Sequence, residues 1–155
     1  MAATEGQTAP ALDLPADNGG QVSLAALKGK PAVVYFYPKD DTTGCTREAL
    51  DFTALAADFA ALGVPVIGVS KDTVKKHDRF KAKHDLNLIL ASDEDGAACE
   101  AWGVWVQKKL YGREYMGIER ASFLIDAEGK VARVWRNVKV AGHAQAVLDA
   151  ARTLA

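Results

Sequence analysis

Cysteine is scarce in this sequence: Cys45 and Cys99 are the only two in 155 residues. They are too few for a disulfide framework and too widely spaced for a zinc-ligand pair. No apolar run approaches the roughly 20 residues that span a bilayer; the longest are Ala32–Tyr37 and Val64–Val69. Neither sign of charge dominates, with 19 basic against 20 acidic side chains and a net charge of -1. That balance offers no whole-chain attraction to nucleic acid or to an anionic membrane. Residues 1–15 carry Glu5, no Lys or Arg and no apolar stretch, which does not read as a secretory leader. Internal repeats and like-charge blocks are also missing. What remains is an ordinary globular composition, 49% hydrophobic and 25% charged, in a chain long enough to bury a core without metal or disulfide. The expectation is a single domain over residues 1–155, cytoplasmic, with no nucleic-acid or membrane partner.

Turn formers crowd Pro10 to Lys30, and short alternating pieces around Leu12 and Val22 predict an N-terminal β-hairpin. Ala32–Tyr37, bounded by Pro31 and Pro38, reads as a strand buried on both faces. A polar elbow, Lys39 to Gly44, leads into a helix expected to run to Leu62, with Phe52, Leu55, Ala56, Phe59 and Leu62 on its apolar face and Gly63 as its stop. Pro65–Val69 predicts a second buried strand, and Asp72 a cap for a helix reaching His84. A strand near Leu88–Ala91 and a short helix at Ala97–Trp102 follow. Ala121–Ile125 and Lys130–Trp135 predict a hairpin across Asp126–Gly129, and a last helix starts near Ala141. This order implies an α/β fold of thioredoxin-like type, a mixed central sheet flanked by helices.

The chemistry concentrates where a buried strand meets a helix start. Cys45 stands there, facing unpaired backbone N–H groups and the positive end of the helix dipole, both of which favour thiolate over thiol. The hydroxyl of Thr42 is placed to reach a ligand oxygen beside the sulfur. Pro38 fixes its φ, removes a donor and shields the edge of the site. On local physics alone, an inert packed cysteine with Thr42 as a simple N-cap is an equal reading.

Pro38-x3-Thr42-x2-Cys45 matches the peroxiredoxin signature, and the likeness continues through Gly29-Lys30, Val69-Ser70, Tyr111-Gly112 and Gly117-Ile118-Glu119-Arg120-Ala121-Ser122-Phe123-Leu124-Ile125-Asp126. The sequence resembles the bacterioferritin comigratory protein, or peroxiredoxin Q, branch from about Gly6 to Leu154. The resemblance implies a peroxidase that reduces hydrogen peroxide and organic hydroperoxides. Cys45 would be the peroxidatic cysteine, Thr42 the peroxide-orienting hydroxyl, Pro38 the shielding proline and Arg120 the arginine stabilising thiolate and peroxide oxygens. A guanidinium, always charged and forked, suits that task better than an ammonium; the plain alternative for Arg120 is a surface residue of an edge strand. No cofactor or metal is implied.

Three positions depart from the branch. Where many members carry a resolving cysteine, this chain has Leu50, or Lys81 in the following helix; Thr43 stands where a proline is common. Cys99 is the only other thiol and reads as a packed one. The expectation is therefore a 1-Cys mechanism, in which Cys45 becomes a sulfenic acid reduced by an external thiol or a thiol protein of thioredoxin, glutaredoxin or glutathione type. Resolution by Cys99 is the alternative, requiring local unfolding. The chain would be a monomer or weak homodimer. A thioredoxin-type disulfide carrier is disfavoured, since no C-x-x-C pair exists; a peroxide sensor relaying oxidation to a partner, or a holdase, is the competing class.

His77 and His84 read as half-buried packing residues of one helix, and His143 as the start of the last helix. Asp93-Glu94-Asp95 reads as a solvated acidic turn. Trp102, Trp105, Tyr111 and Tyr115 read as core or rim, with Trp105 and Tyr115 as candidates for the peroxide pocket or a dimer contact.

Overall fold

The computed structural model describes residues 3–154. Along the chain run β1 (Asp13–Pro15), β2 (Gln21–Ser23), β3 (Ala32–Phe36), α1 (Thr43–Ala54), α2 (Ala56–Ala61), β4 (Val66–Ser70), α3 (Val74–His84), β5 (Ile89–Ser92), α4 (Ala97–Ala101), β6 (Trp105–Leu110), β7 (Arg113–Ile118), β8 (Ala121–Ile125), β9 (Val131–Trp135) and α5 (His143–Arg152). The apolar runs β3, β4 and β5 are parallel neighbours, and β8 and β9 extend the sheet antiparallel, in the order β5-β4-β3-β8-β9. This is the mixed sheet the sequence predicts.

Because β3, β4 and β5 follow one another in one direction, right-handed crossovers must lay α1, α2 and α3 on one face. Val33, Tyr35 and Tyr37 point to that face and pack with Phe52, Phe59, Phe80 and, from α5, Val147 and Leu148. Val34 and Phe36 point to the other, against α4, Trp102 and the hairpin of β1 and β2. Period-two alternation along a single buried strand thus builds both cores.

One close fit inside the sheet was not legible in advance. Tyr35 lies opposite Gly68 in the β3–β4 register, stacked on Phe52 with ring centroids 4.8 Å apart. A Cβ on Gly68 would meet the Tyr35 ring and hydroxyl at 2.9 Å. Gly68→Ala is therefore expected to cost about 1–3 kcal/mol by overpacking. The check is a lower urea midpoint with an unchanged m-value; an unmoved midpoint would show that Tyr35 has room to shift.

The structure corrects several expectations. The helix predicted to reach Leu62 breaks at Leu55 (φ −101°, ψ 9°), so Ala56–Ala61 forms a separate helix. Thr73, not Asp72, caps α3: its Oγ1 accepts from the Lys76 amide at 3.2 Å. Asp72 instead receives the amide of Asp40 at 2.8 Å and the hydroxyl of Ser70 at 2.6 Å. Residues 105–118, read from sequence as an interval between helix and strand, form the β6–β7 hairpin, paired from Trp105↔Ile118 to Leu110↔Arg113. Tyr111 at its turn is 95% exposed rather than core.

Candidate active site

β3 ends at Phe36, and Tyr37 to Thr42 turn the chain into α1 with Thr42 at the N-cap position. Asp41 takes a left-handed conformation (φ 60°), which Asp tolerates better than most residues. Cys45 follows in the first turn of α1 and is 2% exposed. The start of a helix concentrates free N–H groups, so an anionic sulfur here faces donors rather than carbonyls.

Arg120 arrives by topology. The antiparallel β3–β8 register sets Phe36 opposite Ala121, so the residue before β8 lies beside the elbow that follows β3. Its guanidinium forks: Nη1 donates to Glu48 Oε1 at 2.7 Å, and Nη2 to Cys45 Sγ at 3.4 Å. Its carbonyl accepts the Val138 amide at 2.9 Å, fixing the backbone from which it reaches. The edge-strand alternative for Arg120 is thereby set aside.

Two partners of this arrangement escaped sequence reasoning. Glu48 sits one turn after Cys45 and is 1% exposed; burial pushes its carboxyl up to about 7, against the lowering pull of Arg120. Its Oε2, like the Tyr35 hydroxyl, has no hydrogen-bond partner among the described residues. An acidic residue on the buried side of an amphipathic helix was the available signal. Gly44 is the second: a Cβ there would lie 3.1 Å from Arg120 Nη2, so its absence lets the guanidinium close on the sulfur.

Pro38 and Arg120 line a cleft of about 460 Å³ with Val106, Gln107, Lys108, Glu119 and Asn137. Burial, then the Arg120 charge, loosens the proton of Lys108. Glu119 is engaged by Arg136, through Nε at 3.1 Å and Nη2 at 2.8 Å, and by the Asn137 amide at 2.7 Å, leaving the cleft cationic. A second cleft of about 400 Å³ lies beneath the N-terminal hairpin against Ala32 and Ile125. Thr42 is exposed, and its hydroxyl donates to the Lys39 carbonyl at 2.8 Å rather than capping α1. Among the described residues no cluster of His, Cys, Asp and Glu is arranged to hold a metal ion.

Cys99 is not part of this assembly. Cys45 packs in the core on the α1 side of the sheet, Cys99 in the core on the α4 side. Cys99 is fully buried, its amide donates to Asp93 Oδ2 at 2.7 Å, and burial followed by the Asp93 carboxylate pushes its thiol far up. Asp93 is thus a buried helix cap rather than a solvated residue, accepting also from the Ala98 amide at 3.0 Å. Leu50 is exposed, and Lys81 pairs with Asp17 at 2.7 Å.

Neither Trp105 nor Tyr115 lines the cleft; Lys71 Nζ lies over the Trp105 ring at 4.2 Å. His84 pairs with Asp41 at 2.8 Å, whereas His77 is fully buried in polar contacts. His143, whose ring nitrogen lies 2.7 Å from Ser122 Oγ, is pushed down to about 4 by burial and the Arg120 charge, and is neutral at pH 7.

A cysteine at a helix start, gripped by an arginine just ahead of the neighbouring strand, coincides with a family match over residues 5–134, described as AhpC/TSA family. The chain belongs to the AhpC/TSA family of peroxiredoxins. Among its relatives, peroxiredoxin Bcp of Bacillus subtilis is 50% identical, the alignment covering 96% of this chain and 93% of the relative. A putative peroxiredoxin of the same kind from Coxiella burnetii is 49% identical over 96% of this chain and 98% of its own length. Among solved peroxiredoxins, the bacterioferritin comigratory protein of Xanthomonas campestris, studied for its alkyl peroxide reduction activity, superposes with a TM-score of 0.87 at 48% identity, covering 92% and 90% of the two chains. Peroxiredoxin Q of Xylella fastidiosa superposes with a TM-score of 0.93 at 36% identity, covering 99% and 98%. This peroxiredoxin is of the Bcp and peroxiredoxin Q branch, with a thioredoxin-like fold. It is an oxidoreductase, a thiol-dependent peroxidase. Among the described residues no helix is long and apolar enough to cross a membrane.

Proposed function

We propose that Cys45 is the peroxidatic cysteine and that the chain reduces hydrogen peroxide and alkyl hydroperoxides by a 1-Cys route. The observation that carries this reading is the forked Arg120 guanidinium, one arm on Glu48 and the other 3.4 Å from the Cys45 sulfur. The thiolate of Cys45 attacks one peroxide oxygen; an S–O bond forms, the O–O bond breaks, and the departing hydroxide or alkoxide takes a proton from solvent, equivalent to the one the thiol gave up, to leave as water or an alcohol. Cys45 is then a sulfenic acid. Attack on O–O needs fixed donors where charge grows, and the Arg120 arm and the helix-start N–H groups are such donors. Thr42, at the mouth of the helix, can turn its hydroxyl from the Lys39 carbonyl to a bound peroxide, and Pro38 screens the sulfur from water along the cleft. Bulk alkyl groups extend toward Val106 in the same cleft.

Recycling falls to an external thiol or thiol protein of thioredoxin, glutaredoxin or glutathione type. It condenses with the sulfenic acid, releasing water and leaving a mixed disulfide that a second thiol reduces. This route is supported by the packing of Cys45 and Cys99 in different cores, since a disulfide needs Cα atoms within about 7 Å. Two free thiols suit a reducing compartment such as the cytoplasm.

The test is intact mass after one equivalent of hydrogen peroxide with a dimedone trap, on wild type and Cys99→Ser. A dimedone adduct on Cys45 in both proteins is the expected result. A two-hydrogen mass loss in wild type alone, without dimerisation, would instead make Cys99 the resolving thiol. A lasting mixed disulfide with one cellular protein, without turnover by simple thiols, would favour the sensor reading.

A further inference from the structure

The elbow that presents Cys45 is held from behind by a buried His77–Asp40 contact outside the reacting centre. His77 of α3 is fully buried, and both its ring nitrogens face acceptors: Nδ1 lies 2.6 Å from Asp40 Oδ2, and Nε2 2.9 Å from the Ala91 carbonyl of β5. A carbonyl only accepts, so Nε2 carries a hydrogen. The Nδ1–Oδ2 contact also needs a proton, because without one a ring lone pair and a carboxylate lone pair would meet at 2.6 Å. Asp40 is held at two further points: the Tyr37 hydroxyl donates to its Oδ1, and its amide donates to Asp72 Oδ2 at 2.8 Å. Next along the elbow, Asp41 is tied to the same helix by Lys83 at 2.6 Å and His84 at 2.8 Å.

We propose that His77 is a positioning residue for the peroxidatic elbow: its imidazolium clamps Asp40, and loss of its proton releases the elbow and sets the alkaline limit of peroxide reduction. The proposal rests on the reading of Cys45 as the peroxidatic cysteine. The groups facing His77 are Asp40 from the elbow, Tyr37 from the end of β3 and Asp72 from the turn before α3. Burial alone would strip the imidazolium of its proton; the hydrogen bond and charge of Asp40, the Ala91 carbonyl and the charge of Asp72 outweigh it and raise His77 above the ordinary value of 6.5. Tyr37 is raised well above 10.0 by burial and Asp40, so its own ionisation lies at still higher pH. A histidine raised in the fold holds its contact at and below its ordinary pKa and loses it as pH rises through the folded value. Elbow order should therefore fall on the alkaline side.

The experiment follows the ring nitrogens of His77 by ¹⁵N NMR across pH, alongside single-turnover oxidation of Cys45 by hydrogen peroxide in wild type and His77→Gln. The glutamine can donate to Asp40 or to Ala91, never to both, and carries no charge. The expected results are two protonated ring nitrogens at pH 7, an alkaline fall in oxidation rate with the midpoint of the ring titration, and loss of that fall in His77→Gln. The glutamine variant should also oxidise on the order of tenfold more slowly at pH 7, as a displaced nucleophile does. A ring nitrogen without hydrogen at pH 7, or a fall that persists in His77→Gln and so belongs to a group such as Lys108, would overturn the proposal. Should His77→Gln fail to fold, the wild-type midpoints decide alone: coincidence supports the clamp and separation removes it. Absence of Cys45 oxidation at every pH would instead defeat the peroxidase reading, which the NMR titration does not depend on.

Discussion

Cys45→Ser is expected to abolish peroxide consumption, by on the order of 10⁴-fold or more, while Cys99→Ser retains the initial oxidation step. A serine hydroxyl does not ionise near neutral pH, and no base stands ready to activate it: Arg120 is a permanent cation, and Glu48 is turned toward Arg120. The donors that assist a thiolate have nothing to assist. Serine also preserves shape at a site that is 2% exposed, so the fold should survive, and an unchanged thermal midpoint would certify that the loss is chemical. Hydrogen peroxide consumption with dithiothreitol as reductant is the measurement. Residual turnover in Cys45→Ser that disappears on removing Cys99 would move the nucleophile to the other thiol.

Arg120→Ala should carry the next largest effect, a loss of about 10²–10³ in kcat/KM for peroxide, the usual consequence of deleting one charge-stabilising donor. Arg120→Lys keeps the charge but not the fork. A single ammonium cannot keep both the 2.7 Å contact to Glu48 and the 3.4 Å contact to Cys45, so a loss of about tenfold or more remains. Alanine also strands Glu48, whose carboxyl already titrates near 7, and breaking such a buried pair costs about 3–5 kcal/mol unless the survivor neutralises. Stability and catalysis can be separated with the double variant Arg120→Met/Glu48→Gln. It should recover the thermal midpoint without recovering the rate. Wild-type kinetics in Arg120→Lys would count against a role at the sulfur.

The central-sheet strands and the position of Cys45 were legible because their signals are local: continuous apolar, β-branched runs, and a cysteine directly after a polar elbow. Arg120 was reached only through resemblance, since its meeting with Cys45 depends on the β3–β8 register. The clamp behind the elbow was not legible. Asp40, Asp72 and His77 lie on three segments, and nothing local distinguishes Asp40 from its exposed neighbour Asp41, or His77 from a packing histidine. Gly44 and Gly68 were silent for a related reason: each matters through the atom that would occupy its missing Cβ. The β6–β7 hairpin was missed because its residues are largely exposed and polar, so period-two alternation has no buried face to mark it. The break at Leu55 escaped notice because the apolar spacing continues across it into α2.

The separation of the two thiols by the central sheet has a consequence for time. When both sulfurs of a peroxidase share one face, the oxidised state is discharged by a first-order step whose rate is a property of the fold. On the 1-Cys route proposed above that internal exit is closed, so discharge is second order and its rate is the product of a collision constant and the concentration of outside thiol. The fraction of chains held as sulfenic acid then reports the ratio of two supplies, peroxide and reductant. Brief peroxide exposure in a thiol-poor setting would leave a record that persists until thiol returns.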